Sequence, residues 1–137
     1  MKIYWDSSAL IWFYSRKRLV EIKGVTRTHT LAEVFSALTG RGIMLQMDDG
    51  TQRPRKYSPE IATAVVEQMY QRLEFVDISA AETIKSFSLT HTQGVQGGRI
   101  HDYLHVKAAE MARADELWTA DENDLSGLGK VTVRILT

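Results

Sequence analysis

The sequence predicts an α/β protein with a mostly parallel central sheet of about five strands and helices on both faces. Three observations carry that expectation. Short β-branched and aromatic runs alternate with longer stretches of helical periodicity, and such alternation closes most readily as a parallel sheet covered by helices. The 137 residues fit one domain with its own core, so a single unit over 1–137 is expected. The 44% apolar and 25% charged fractions are ordinary for a globular fold, with enough apolar side chains to cover two sheet faces.

Residues 2–5, KIYW, read as a short buried strand. The following DSS at 6–8 is a helix entry, because short polar side chains cap free backbone N–H groups. SSALIWFYS then reads as a helix, and the basic stretch after it runs to Gly24 as a helix end. Residues 25–28, VTRT, form a second strand candidate. In the helix that follows, Leu31, Val34, Phe35 and Leu38 fall at i, i+3, i+4 and i+7, the spacing of a core-facing stripe, with Glu33 off its centre. Residues 41–57 differ in character: Asp49-Gly50 is a turn signal and Pro54 opposes a central strand, so a hairpin or protruding loop is expected, its role open. A helix then starts from Ser58 as N-cap, Pro59 at the first position and an acid in the first turn.

Residues 74–78, EFVDI, are a third strand, and 79–90 another helix. Residues 91–99, HTQGVQGGR, hold three glycines and no apolar pattern, which predicts a loop. The helix from residue 100 repeats Leu104, Ala108 and Met111 at i, i+4 and i+7. ELWTA is the fourth strand, ENDLSGLG a loop, and residues 131–136, VTVRIL, the fifth strand.

The chain has no cysteine, which excludes disulfides, thiol nucleophiles and Cys-ligated zinc and suits a reducing cytosol. Seventeen basic and seventeen acidic side chains give zero net charge, which counts mildly against a nucleic-acid binder, although a carboxylate-rich site can offset a basic patch. ALIWFY at 9–14 is far short of a membrane span, and Asp6 precedes it where a signal peptide wants Lys or Arg. A cytoplasmic protein without a signal peptide or membrane contact is therefore expected.

One stretch invites a metal reading. HDYLH at 101–105 is one methylene away from H-E-x-x-H, in which two histidines four apart on a helix grip zinc and the intervening acid acts as general base. A zinc hydrolase using His101 and His105 would need a third ligand, for which Glu122 is a nominee without independent support.

The acids form a second pattern. In open α/β sheets, ligands bind beyond the carboxyl ends of the strands. Asp6 follows the first strand, Glu33 sits on the helix after the second, Asp102 opens the helix leading into the fourth, and Asp121 comes just after the fourth. Each has a plainer reading: Asp6 a helix cap, Glu33 a solvated charge, Asp102 a first-turn acid favoured by the helix dipole, Asp121 a turn residue. Together they would repel unless a cation compensates, and hard divalent cations prefer oxygen ligands.

KIYWDSSALI, TLAEVFSAL, HDYLHVKAAEMARADELWTAD and ENDL, in that order, resemble the four motifs of the PIN domain, and more narrowly the short VapC-type toxin ribonucleases. The resemblance covers nearly the whole chain and implies a PIN-like three-layer fold. It implies that Asp6, Glu33, Asp102 and Asp121 are the catalytic, metal-binding quartet, that Ser7, Ser8, Thr119 and Asp124 support it, and that Mg2+ or Mn2+ is the cofactor. Leu125 stands where an aromatic often follows the last acid, a departure from the pattern. The implied activity is an endoribonuclease in which a metal-activated water attacks phosphorus in line, leaving a 5′-phosphate and a 3′-hydroxyl. The implied partners are RNA, with transfer RNA a candidate, a cognate antitoxin covering the acidic site, and a second copy in a homodimer.

Among the basic residues, Arg99 is the nominee for a phosphate contact; SRKR at 15–18, Arg41 and RPRK at 53–56 are the denser basic runs. On this reading His105→Ala leaves catalysis largely unchanged. The rival outside enzymology is a catalytically silent PIN-like module that binds RNA. A structure-specific DNA nuclease shares the acid logic but usually needs a longer chain.

Overall fold

A computed structural model describes residues 1–123 and 125–137; Asp124, one of the supporting acids, lies outside the described residues. The chain runs β1 (Ile3–Trp5), α1 (Ser7–Ser15), β2 (Gly24–Thr26), α2 (Thr28–Thr39), β3 (Ile43–Gln46), β4 (Gln52–Arg55), α3 (Pro59–Tyr70), β5 (Leu73–Phe75), α4 (Ala80–Ser86), α5 (Arg99–Met111), β6 (Glu116–Thr119) and β7 (Thr132–Ile135). Five strands form one sheet in the order β5-β2-β1-β6-β7, with every pairing parallel. The α/β class with helices around a parallel sheet is as expected.

The strand β1 shows how three layers arise. Successive strand side chains point to opposite faces. Tyr4 enters a core with Val25, Tyr103, Val106 and Leu117, while Trp5 enters another with Leu10, Phe13, Val34 and Leu38. Tyr4 and Trp5 are both essentially fully buried, so β1 is central and covered on both sides. α1, α2 and α3 supply the core around Trp5, and α5 supplies the core around Tyr4.

Several boundaries differ from expectation. α1 stops at Ser15, a single 3-10 turn follows at Leu19–Glu21, and Gly24 opens β2 instead of closing a helix. The reason is close approach: Gly24 has φ +140°, and a Cβ there would lie 2.2 Å from the carbonyl oxygen of Ile3 on the neighbouring strand. Gly24→Ala is therefore expected to cost well over about 1 kcal/mol, read as a lower melting temperature, because the added methyl meets backbone at a φ that L-residues rarely adopt.

The stripe on α2 is rotated from the predicted one. Its buried line is Thr30, Val34 and Leu38, while Phe35 is partly exposed. Thr30 turns inward because its hydroxyl accepts a 2.8 Å hydrogen bond from Thr26, whose position in β2 is itself buried. Met111 is likewise exposed on α5, where His105 is buried instead. The segment 41–57 does form a hairpin: β3 and β4 make a separate antiparallel ladder with Pro54 opposite Met44. All four β4 residues are exposed, so the missing N–H of Pro54 leaves no buried partner unsatisfied.

Candidate functional site

Parallel pairing brings the carboxyl ends of β1 and β6 together. Trp5 is in register with Trp118, and the Asp6 N–H donates to the Trp118 carbonyl at 3.2 Å. Asp6, directly after β1, and Asp121, two residues beyond β6, therefore leave the sheet at one edge. Asp102 reaches the same region from the first turn of α5.

Asp6 is buried and caps α1: its Oδ1 accepts from the Ala9 N–H at 2.8 Å and from the Ser8 hydroxyl at 2.7 Å. Ser8 ties the two strand ends together, since its Oγ lies 3.1 Å from the Thr119 hydroxyl and accepts the Ala120 N–H at 2.8 Å. Thr119 is fully buried, and its Oγ1 accepts the Asp121 N–H at 3.1 Å. Ser8 and Thr119 thus hydrogen-bond to both aspartates, Ser8 through the Asp6 carboxylate and Thr119 through the Asp121 N–H. Ser7 takes no part in this network and lines a neighbouring cleft.

Burial raises the Asp6 carboxyl above the usual carboxylate range, against the opposing influence of His105, Thr119, Ala9 and Ser8. Asp102 is also raised, first by burial and next by the charge of Asp121, with Asp6 adding to it; Arg99 and His105 oppose. Asp102 thus feels the charge of the other two aspartates. Arg99 opens α5 instead of sitting in the preceding loop, and its Nη1 lies 3.7 Å from Asp102 Oδ2.

Glu33 is placed differently. Its Oε1 is 2.8 Å from His105 Nε2, and His105 Nδ1 is 2.8 Å from the Tyr4 hydroxyl. A carboxylate only accepts, so Nε2–H donates to Glu33, and Nδ1 pairs with the Tyr4 hydroxyl. Burial alone would raise Glu33, but the His105 hydrogen bond and the charges of His105, His29 and Arg27 outweigh it and hold the carboxyl low. Burial pushes the Tyr4 phenol well above its ordinary value, so it remains a donor.

The two histidines of HDYLH therefore part ways. His105 is buried with both ring nitrogens engaged, whereas His101 is exposed and stacks against His29. Among the described residues, no group of three or more His, Asp or Glu side chains is gathered tightly enough to hold a metal ion. That bears on the zinc reading and on the acid quartet alike. The oxygen donors of Asp6, Asp102 and Asp121, with their mutual repulsion, fit a hard divalent cation in kind. Glu33 fits only after parting from His105.

No known protein family matches the chain, and no curated protein matches it either.

Sequence reasoning passed over Tyr4 and His29, and took up His105 only as a zinc ligand, not as the partner of Glu33. The one available signal for His105 was its i+3 spacing from Asp102 on an amphipathic helix. Tyr4 carried none, because an aromatic beside a site acid reads simply as core. Among the described residues, no helix is long and apolar enough to cross a membrane.

Proposed function

We propose that this chain is a Mg2+- or Mn2+-dependent endoribonuclease of the PIN type, acting in the cytoplasm as the toxin of a VapBC-type pair with a cognate antitoxin and a homodimeric state. The observation that carries the nuclease reading is the convergence of Asp6, Asp102 and Asp121 at the carboxyl edge of β1 and β6, close enough that Asp121 and Asp6 add to the rise that burial gives Asp102. Asp6, Asp102 and Asp121 would hold the cation, with Glu33 joining on release from His105. A divalent cation bound there supplies charge neutralisation at the scissile phosphate and lowers the pKa of water.

The chain's own residues do the rest. Ser8 and Thr119 fix Asp6 and Asp121 in place, so no ordering is required when phosphate arrives. Arg99, beside Asp102, offers a guanidinium for a phosphate oxygen. His105 holds the Glu33 carboxylate in one orientation.

One observation favours the silent RNA-binding module instead: Glu33 is already satisfied by His105, and the described acids are not drawn into a cage. Incubating a mixed RNA pool with the protein in Mg2+, in Mn2+ and in EDTA separates the two. Metal-dependent cutting supports the nuclease. RNA retention without cutting under any metal supports the module.

A further inference from the structure

Beside the acids lies an open cleft of about 570 Å³, lined by Ser7, Ser36 and Arg41 and by the pair His29 and His101, with Glu33 at its acidic end. The volume falls within the range that holds a small ligand such as one nucleotide. His29 and His101 come from different helices, α2 and α5, yet their rings are nearly parallel, 11° apart, with centroids separated by 6.0 Å. Both residues are exposed. Arg41 follows α2, is exposed, and makes no hydrogen bond or ion pair among the described residues.

We infer that this cleft is a nucleotide subsite of single-stranded RNA, taking the nucleotide next to the scissile phosphate with its base against the His29–His101 pair and its phosphate at Arg41. The subsite rests on the nuclease reading for its place beside the scissile bond, but not for its ability to bind RNA. Flat π faces stack on any base, which suits a substrate recognised without a fixed sequence. Arg41 supplies a guanidinium to phosphate oxygens, the group's preferred planar partner. The hydroxyls of Ser7 and Ser36 supply donors and acceptors for a ribose 2′-hydroxyl, which only RNA carries. Glu33 and Arg41 both line the cleft, so one wall carries an acid and another a guanidinium.

The test uses a fluorescein-labelled single-stranded RNA of mixed sequence, about a dozen nucleotides long. Its affinity is read by anisotropy in EDTA, where no metal-dependent cleavage intervenes. Arg41→Ala is expected to weaken binding about tenfold at low salt and to shallow the salt dependence by roughly one phosphate contact. His29→Ala is expected to weaken it about tenfold with the salt dependence unchanged, and His29→Phe to restore it, because stacking survives and the imidazole does not. Affinities within twofold of the unaltered protein for both Ala variants overturn the subsite, as does an unaltered protein that fails to bind this RNA. Cleavage in Mg2+ or Mn2+ with unchanged binding in the variants leaves the nuclease standing and removes the subsite. Lost binding in the variants with no cleavage under any metal keeps the subsite and removes the nuclease.

Discussion

Under the nuclease reading, Asp6→Asn is expected to abolish metal-dependent RNA cleavage, by about a thousandfold or more, while the metal-free protein melts a few degrees higher. Both halves come from one carboxylate. Its Oδ1 caps α1 and accepts from Ser8, and the amide oxygen of Asn offers the same acceptor, so the local fold is retained. What Asn removes is the charge. Burial disfavours that charge, and its field helps to raise Asp102.

The sign of the stability change follows from the raised folded-state pKa. Between the unfolded-state value and the higher folded-state value, the folded protein holds the extra proton. Stability therefore falls as pH rises through that window and stays lower above it. At neutral pH in EDTA the Asn variant escapes this penalty. In acid, where Asp6 is protonated in both states, the advantage shrinks. Thermal melts of both proteins across that pH range, in EDTA and then in Mg2+, check it. A bound cation reverses the order, because Asp6 then gains a partner that Asn lacks, by mass action with the ion. An Asn variant that cuts RNA at the unaltered rate removes Asp6 from the chemistry. One that melts lower in EDTA shows its charge to be compensated within the fold.

The fold was legible in the sequence to the extent that it depends on local pattern. KIYW and ELWTA read as strands, each one residue longer than observed, Ser58-Pro59 as a helix start and Asp49-Gly50 as a turn. The errors fall where a tertiary partner decides. Gly24 ends no helix, because its backbone must pass against Ile3. Phe35 loses its inward place because the Thr26–Thr30 hydrogen bond selects a neighbouring face of α2. The site was legible in the same measure. Asp6 and Asp121 follow strands that read clearly, and parallel pairing does the rest. The orientation of Glu33 was not, because it depends on His105, 72 residues away, and on Tyr4 behind it.

His105→Ala is expected to lower the melting temperature by about 10 °C, a loss of about 3 kcal/mol. The sequence alone led to the opposite emphasis, with His105 idle. The ring is buried and bridges two groups with few alternatives. Tyr4 is fully buried, so its hydroxyl loses the His105 hydrogen bond at a place where water does not reach. Glu33 loses the hydrogen bond that holds its carboxyl low, while keeping the charges of His29 and Arg27. A cavity the size of an imidazole adds to both. Tyr4→Phe separates the contributions, since it removes the phenol and leaves the His105–Glu33 contact. It is expected to cost about 1 kcal/mol, a third of the His105 effect. Under the nuclease reading, His105→Ala assayed well below its melting temperature carries a second readout. If His105 positions Glu33, the variant loses cleavage and its demand for Mg2+ rises; Tyr4→Phe does neither. If His105 instead keeps Glu33 away from the cation, the variant cuts at lower Mg2+ concentrations than the unaltered protein. A variant that is destabilised but unchanged in its metal titration confines His105 to the core and returns the chemistry to the aspartates alone.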